Sequence, residues 1–82
     1  MNKEMIKLAK KEAAKRLRDE GGYYMSMLGI HPQTGERVYV EAHNWPEAEG
    51  KIGTVATTNI PETSAQELIN EGNTYRIPLA VK

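Results

Sequence analysis

The double glycine at positions 21 and 22 divides the chain into two segments whose apolar residues repeat with different periods. After it, apolar and polar residues alternate, which is typical of β-strands. Before it, residues 3–20 contain no Gly or Pro, which favours a helix over residues 1–20 that Gly21 ends in a left-handed conformation. The apolar residues of this predicted helix form one stripe of about 120° at helical spacing, made of Met5, Ile6, Ala9, Ala13 and Leu17.

The segment after the glycines is predicted to form a β-hairpin. Its strands, Tyr23–Ile30 and Glu36–Asn44, flank Pro32-Gln33-Thr34-Gly35, in which Pro suits the second position of a type I turn and Gly the left-handed residue. If His31 and Glu36 flank the turn, residues whose numbers sum to 67 pair. One face is then apolar and forms the core, with Met25, Met27, Val38, Val40 and Ala42, and the reverse face is polar and aromatic, with Tyr24, Ser26, Leu28, Tyr39, Glu41 and His43.

The rest of the chain is predicted to add two strands and a short helix. Residues 51–58 alternate with β-branched side chains, and residues 73–82 form a closing strand that Pro78 places at an edge. Between them, Ser64 and Glu67 have the spacing of a capping box, which predicts a helix over residues 64–71. The fold class is therefore α+β: an N-terminal helix, an antiparallel sheet of about four strands and a short second helix, in the order α-β-β-β-α-β.

Length and composition limit the chain to one small domain, spanning residues 1–82 with the sheet and short helix in 23–82. Because large apolar residues are few, the core is small, which favours a homo-oligomer. The chain has no Cys, which excludes disulfides and thiolate chemistry and suits a reducing compartment. No apolar run approaches the roughly 20 residues that span a bilayer, so the expectation is a cytoplasmic protein without a membrane segment.

Residues that could carry chemistry are scattered. The two histidines, His31 and His43, lie at the turn and far along the second strand of the hairpin, and no further ligands at metal-binding spacing accompany them. Asp19 is the one aspartate, and the glutamates form no evident pair for acid and base catalysis. The sequence also lacks the glycine-rich loops of nucleotide-binding enzymes. We therefore expect no catalytic residues, no metal site and no cofactor.

The aromatic residues give the leading hypothesis, a non-enzymatic protein that binds another protein. Most of them cluster around the hairpin, and Tyr and Trp are favoured interface residues because each combines a large rigid surface with a polar atom. Trp45, in a loop before Pro46, either covers the sheet or anchors a partner. Compact one-domain proteins of this size and simplicity are frequent in phages and mobile elements, so an inhibitor or accessory factor of that kind is one version of this hypothesis, by analogy alone. The predicted partner-binding residues are Tyr24, Tyr39, Glu41, His43 and Trp45.

A second hypothesis assigns part of the same surface to a small ligand. If the last strand joins the sheet near the hairpin, two arginines could bind phosphates while tyrosine rings stack on a base. The protein would then be an oligomer that binds or sequesters a nucleotide or another anion. The residues of this alternative site are Arg37, Arg76, Tyr24 and Tyr39.

A third hypothesis follows from the distribution of charge, which is formally zero overall. Up to Glu20 there are seven Lys or Arg and four Asp or Glu, a net charge of +3, and from Gly21 on there are four against seven, a net charge of −3. A basic helix of this kind could bind nucleic acid or lie against an acidic neighbour. The predicted nucleic-acid contacts are Lys3, Lys7, Lys10, Lys11 and Lys15.

Overall fold

The chain folds into a four-stranded sheet with a helix on each face in a computed structural model, which describes residues 3–72 and 74–80 without the side chain of Ala48. This arrangement confirms the predicted α+β class and the order α-β-β-β-α-β. The ends of the predicted helix 1–20 and of the predicted strand 73–82, namely residues 1, 2, 73, 81 and 82, lie outside the described residues. The elements are α1 (Lys3–Glu20), β1 (Tyr24–Ile30), β2 (Arg37–His43), a 3-10 turn (Pro46–Ala48), β3 (Gly53–Thr58), α2 (Glu62–Asn70) and β4 (Thr74–Pro78).

The sheet has the strand order β3-β2-β1-β4 and is mixed. β2 pairs antiparallel with both β1 and β3, whereas β4 pairs parallel with β1. The sequence predicted an antiparallel sheet, and this part of the prediction is wrong, because β1 and β4 are parallel. The difference arises because the chain crosses from one edge of the sheet to the other between β3 and β4. A crossover that contains a helix allows the next strand to run parallel to its neighbour, which a tight hairpin cannot do.

The β1–β2 hairpin has the predicted register, in which the numbers of paired residues sum to 67. The turn is closed by two backbone hydrogen bonds, from His31 N to Glu36 O and from Gly35 N to His31 O, each of 2.9 Å. Gly35 has a φ of 77°, a left-handed conformation that glycine adopts without strain. The turn chemistry thus fixes which side chains of both strands share a face.

Helix α1 packs on one face of the sheet and forms the main core with it. The predicted stripe is confirmed, since its residues are fully buried except Ile6, which is partly exposed. The core residues from the helix, the hairpin and the segment after β4 are Met5, Ala9, Ala13, Leu17, Met25, Met27, Val38, Val40, Ala42 and Leu79.

Neither helix has the length and the apolar composition that a membrane-spanning helix needs, within the residues that the structure describes.

Helix α2 lies on the opposite face of the sheet, here called the reverse face. Glu62 of α2 binds Arg37 of β2 at 2.8 Å and Arg76 of β4 at 3.4 Å. Because β1 lies between β2 and β4, this carboxylate spans β1 near Leu28. Leu28 and Ala65 are both 0% exposed. α2 therefore covers the half of the reverse face that contains Leu28.

The sequence predicted that the whole reverse face is a polar and aromatic surface. The structure shows instead that part of this face is buried. Leu28 is buried, and Ser26 is only 2% exposed. The Ser26 and Thr74 hydroxyl oxygens lie 2.9 Å apart and share a hydrogen bond, which satisfies polar groups that burial removes from water. The exposed aromatic surface is thus limited to the other half of this face.

The second helix begins two residues earlier than the capping-box pattern indicated. Pro61 occupies the N-cap position with extended backbone and without a side-chain hydrogen bond, and the helix starts at Glu62. Ser64 therefore lies inside the first turn and is not the N-cap. The prediction was wrong because a Pro before the first helical residue imposes a suitable φ without a capping side chain.

Candidate functional site

The aromatic patch lies on the part of the reverse face that α2 leaves open, with Tyr39 at its border opposite the buried Leu28. We define it as Tyr24, Tyr39, Glu41, His43 and Trp45, the residues that the sequence assigned to partner binding. Four of them sit on β1 and β2, whose register places Tyr24 opposite His43 and leaves Tyr39 and Glu41 two residues apart on the same face. Trp45 follows two residues after β2. The structure therefore brings all five predicted residues together.

Three rings of the patch form a continuous row. The Tyr24 and His43 rings are tilted by 52° with centroids 5.1 Å apart. The His43 and Trp45 rings are stacked, with an interplanar angle of 19° and centroids 5.4 Å apart. Contacts at these distances stabilise aromatic pairs beyond the area that they bury. Each outer ring is thus held by the central imidazole while much of it stays exposed, 46% for Tyr24 and 53% for Trp45.

Tyr24 is also fixed at its polar end. Its hydroxyl donates a 2.9 Å hydrogen bond to Oε2 of Glu41. Burial raises the pKa of the Tyr24 hydroxyl well above its ordinary value, and hydrogen bonds and charge interactions with Tyr39 and Glu41 raise it further. The hydrogen bond to Glu41 keeps the ring in one orientation, and the raised pKa keeps the hydroxyl a donor further into alkali than an ordinary tyrosine.

His43 lies at the centre of the row, between Tyr24 and Trp45. Its Nδ1 is buried and has no hydrogen-bond partner in the part of the chain that the structure describes. Buried nitrogens without a partner are uncommon in folded proteins, because leaving one unsatisfied costs about 1–3 kcal/mol. The patch thus contains a local cost in stability that its ring contacts must offset.

The loop after β2 adds two exposed carboxylates close to Trp45 in the chain. Trp45 has extended backbone (φ −73°, ψ 141°), which is the conformation favoured before a proline. The 3-10 turn that follows carries the exposed Glu47, and Glu49 is exposed just after it. Glu41 belongs to the patch itself, so three carboxylates lie in the patch or within four residues of Trp45 in the chain. Trp45 stacks on His43 and does not enter the core, so the structure places it where a partner could reach it.

One exposed residue beside the patch was missed by the sequence analysis. Val55 of β3 is 58% exposed and pairs with Glu41 of β2, so it shares the reverse face with the patch. The alternation in β3 indicates that Val55 and Ala56 lie on opposite faces of the strand, but it does not indicate which of the two faces is exposed. That assignment needs the register between β2 and β3, which the long loop joining them does not fix.

The alternative small-ligand residues do not form one site, and Tyr39, opposite Leu28 on β2, lies between the two arginines and Tyr24. Arg37 and Arg76 lie at the covered half of the reverse face, where both bind Glu62, and Arg37 Nε also donates to the Ile60 carbonyl. Tyr24 lies on the open half, four residues from Leu28 along β1, or about 13 Å. The arginines therefore already have an anionic partner within the chain, away from Tyr24.

The lysines of the nucleic-acid hypothesis lie on α1, on the other side of the molecule from the aromatic patch. Four of them recur every four residues and are exposed, whereas Lys10 is partly buried. Residues at this spacing lie above one another on a helix. The exposed row consists of Lys3, Lys7, Lys11 and Lys15.

The histidines lie apart, as expected. His31 is used by the hairpin turn, where its Nδ1 accepts hydrogen bonds from the backbone N–H of Gln33 (3.1 Å) and Thr34 (3.2 Å). His43 belongs to the aromatic patch at the other end of the strands. Within residues 3–72 and 74–80, no group of three or more His, Asp or Glu side chains is placed to hold a metal ion.

Comparison with known proteins adds no family to this description. The chain matches no protein-family model, no curated protein and no solved structure. The patch and its surroundings are therefore the basis for the functional assignment.

Proposed function

We propose that this chain is a small non-enzymatic binding protein that docks onto another protein through the aromatic patch. The observation that carries the proposal is the row of three rings, Tyr24, His43 and Trp45, which is ordered by its own contacts but left open to solvent. Large aromatic side chains dominate the free energy of many interfaces. Rings that are already fixed lose little entropy on binding, so their buried area converts to affinity more efficiently.

The charges in and near the patch indicate the chemistry of the partner. Glu41 lies in the patch, and the exposed Glu47 and Glu49 follow Trp45 closely in the chain, so the complementary surface combines an apolar pocket with Lys or Arg at its rim. Such a protein could act in the cytoplasm as an inhibitor or accessory factor, by covering a functional surface of its partner. The analogy with phage and mobile-element proteins belongs to this proposal and rests on size alone.

Trp45 provides the test. We expect Trp45→Ala to weaken binding of the partner by about 30-fold, the equivalent of the roughly 2 kcal/mol that defines an interface hot spot. Proteins captured from a lysate of the source cells by the wild type, Trp45→Ala and Tyr75→Ala are quantified by mass spectrometry. Tyr75 is a matched control because it is 60% exposed but lies on β4, away from the patch.

A partner lost with Trp45→Ala and retained with Tyr75→Ala supports the assignment, and its affinity is then measured with purified proteins. Circular dichroism and thermal unfolding establish that both variants are folded. If correctly folded Trp45→Ala captures every partner as well as the wild type does, the patch is not the interface.

A second candidate function, binding of a nucleic acid, is favoured by the row of lysines on α1. Like charges four residues apart on a helix destabilise it by about 0.2–0.5 kcal/mol per pair. The exposed Lys3, Lys7, Lys11 and Lys15 make three such pairs. A polyanion that neutralises the row would remove this cost and release counterions.

Fluorescence anisotropy with labelled duplex DNA and duplex RNA tests this candidate. Binding should fall steeply as salt rises and should be lost in Lys7→Glu, whereas Lys51→Glu, the same charge change at an exposed site outside α1, should bind as the wild type does. Absence of binding at low salt, or equal binding by both variants, would exclude the lysine row as a nucleic-acid site.

A further inference from the structure

The two edges of the sheet differ in how well they are protected against pairing with another chain. An edge strand exposes backbone N–H and C=O groups, and proteins usually protect such edges with charged residues or prolines. β4 has five residues, includes Arg76 and ends at Pro78, which has no N–H to donate. β3 has six residues, Gly-Thr-Val-Ala-Thr-Thr, with neither a charge nor a proline. β3 is therefore the unprotected edge.

The side chains of β3 suit pairing with a second copy of the same strand. When two identical strands pair antiparallel, each residue meets residues of the same set, and like charges directly opposite destabilise the pair. β3 is uncharged, so self-pairing brings no like charges together. Val and Thr, which make up four of its six residues, are favoured in strands and in cross-strand pairs.

The environment of β3 leaves room for such a neighbour. Along β3, Gly53, Val55 and Thr57 are exposed on the reverse face, while the residues between them are partly buried on the α1 side. Ala56 packs against the main core, so the strand is held in place by its own chain. Val55 remains 58% exposed and would be partly covered by a neighbouring strand. A second copy would thus extend a strand that is already ordered.

We infer that β3 is the contact edge of a homodimer, in which two copies pair antiparallel through β3 about a two-fold axis perpendicular to the sheet. The four strands of each copy then form one continuous sheet of eight. The same patch is used on both subunits, as in most symmetric dimers. Because a six-residue edge buries little area, the dimer belongs among weak interfaces, with dissociation in the micromolar range.

The dimer has a consequence for the aromatic patch. A two-fold axis perpendicular to the sheet keeps the reverse faces of both copies on the same side. The patch lies on β1 and β2, and β2 is the direct neighbour of β3. Both patches would therefore face one direction, one on each side of the axis. A partner with two copies of the recognised surface could bind both at once and gain avidity.

Val55→Lys is the variant that tests the contact. It places a charge from each subunit close to the axis, while the exposure of Val55 spares the fold. Analytical ultracentrifugation over a range of concentrations should show a monomer–dimer equilibrium for the wild type and a monomer throughout for Val55→Lys. Tyr75→Lys, the same kind of change at the other edge of the sheet, should keep the wild-type equilibrium.

Hydrogen exchange of the wild type provides a second measurement that needs no variant. Amides of β3 should exchange more slowly as the protein concentration rises, whereas those of β4 should not change. A wild type that stays monomeric at every concentration overturns the inference. So does a dimer that survives in Val55→Lys, or one that depends on Trp45 and so uses the aromatic patch. Because Trp45→Ala leaves β3 intact, this result and the test of partner binding can fail independently.

Discussion

The two halves of the reverse face lie on the same strands but differ in how far their side chains are buried. On the covered half, Leu28 is 0% exposed, and at its boundary the buried Ser26 shares a hydrogen bond with Thr74. On the open half, Tyr24 and Trp45 are 46% and 53% exposed. One half therefore gains stability by burying apolar and paired polar groups. The other holds aromatic rings in place without burying them, as the proposed interface requires.

The largest expected effect tests whether the covered half is a second core. Leu28→Ala should lower the free energy of unfolding by about 2–5 kcal/mol, the usual cost of truncating a buried Leu. Met27→Ala is the matched control, because Met27 is the preceding residue, points to the α1 side and is also 0% exposed. Urea unfolding of both variants measures the two costs. If Leu28→Ala costs under about 0.5 kcal/mol while Met27→Ala costs several, α2 does not seal this half.

An intermediate effect is expected at the boundary between the halves. Ser26→Ala leaves the Thr74 hydroxyl without its Ser26 partner in a buried site, which should cost about 1–3 kcal/mol. Adding Thr74→Val removes the second hydroxyl while keeping its shape. The double variant should therefore be less destabilised than the sum of the two single variants. If urea unfolding shows that the double variant loses as much stability as the two single variants together, the two hydroxyls do not stabilise the fold through a shared hydrogen bond.

The parts of this fold that the sequence predicted are those set by local chemistry. The stripe from Met5 to Leu17 and the turn from His31 to Glu36 depend on residues close together in the chain, and both are confirmed. The buried state of Leu28 was not predicted. Period-two alternation distinguishes the two faces of a strand, but it cannot show that a helix more than thirty residues later covers half of one face.

The same limit applies to the candidate site. Tyr24, His43 and Trp45 could be grouped from the hairpin register and the loop that follows it. The pairing of Arg37 and Arg76 with Glu62 could not, because it requires the crossover that brings β4 beside β1. Contacts between distant segments decide which predicted residues remain available to a partner.

The smallest effect at neutral pH, and the sharpest probe of the open half, concerns Tyr24. Tyr24→Phe should cost about 0.5–1.5 kcal/mol near pH 7, the usual range for one hydrogen bond. The larger difference appears in alkali. The pKa of Tyr24 is raised in the folded protein, so the unfolded chain loses its proton first as the pH passes about 10. The stabilisation is thus complete below that pH and declines above it, as the unfolded state releases a proton that the folded state retains.

Urea unfolding at a series of pH values from about 8 to 11 measures this decline. The wild type should lose stability over the upper part of the range more steeply than Tyr24→Phe does. Glu41→Gln should give an intermediate slope, because it removes the negative charge and leaves the burial, which is the largest single cause of the raised pKa. Equal slopes for all three proteins would mean that the Tyr24 hydroxyl is as free in the folded state as in the unfolded chain. The open half would then be a loose set of exposed rings, and the preorganisation on which the proposed interface depends would be lost.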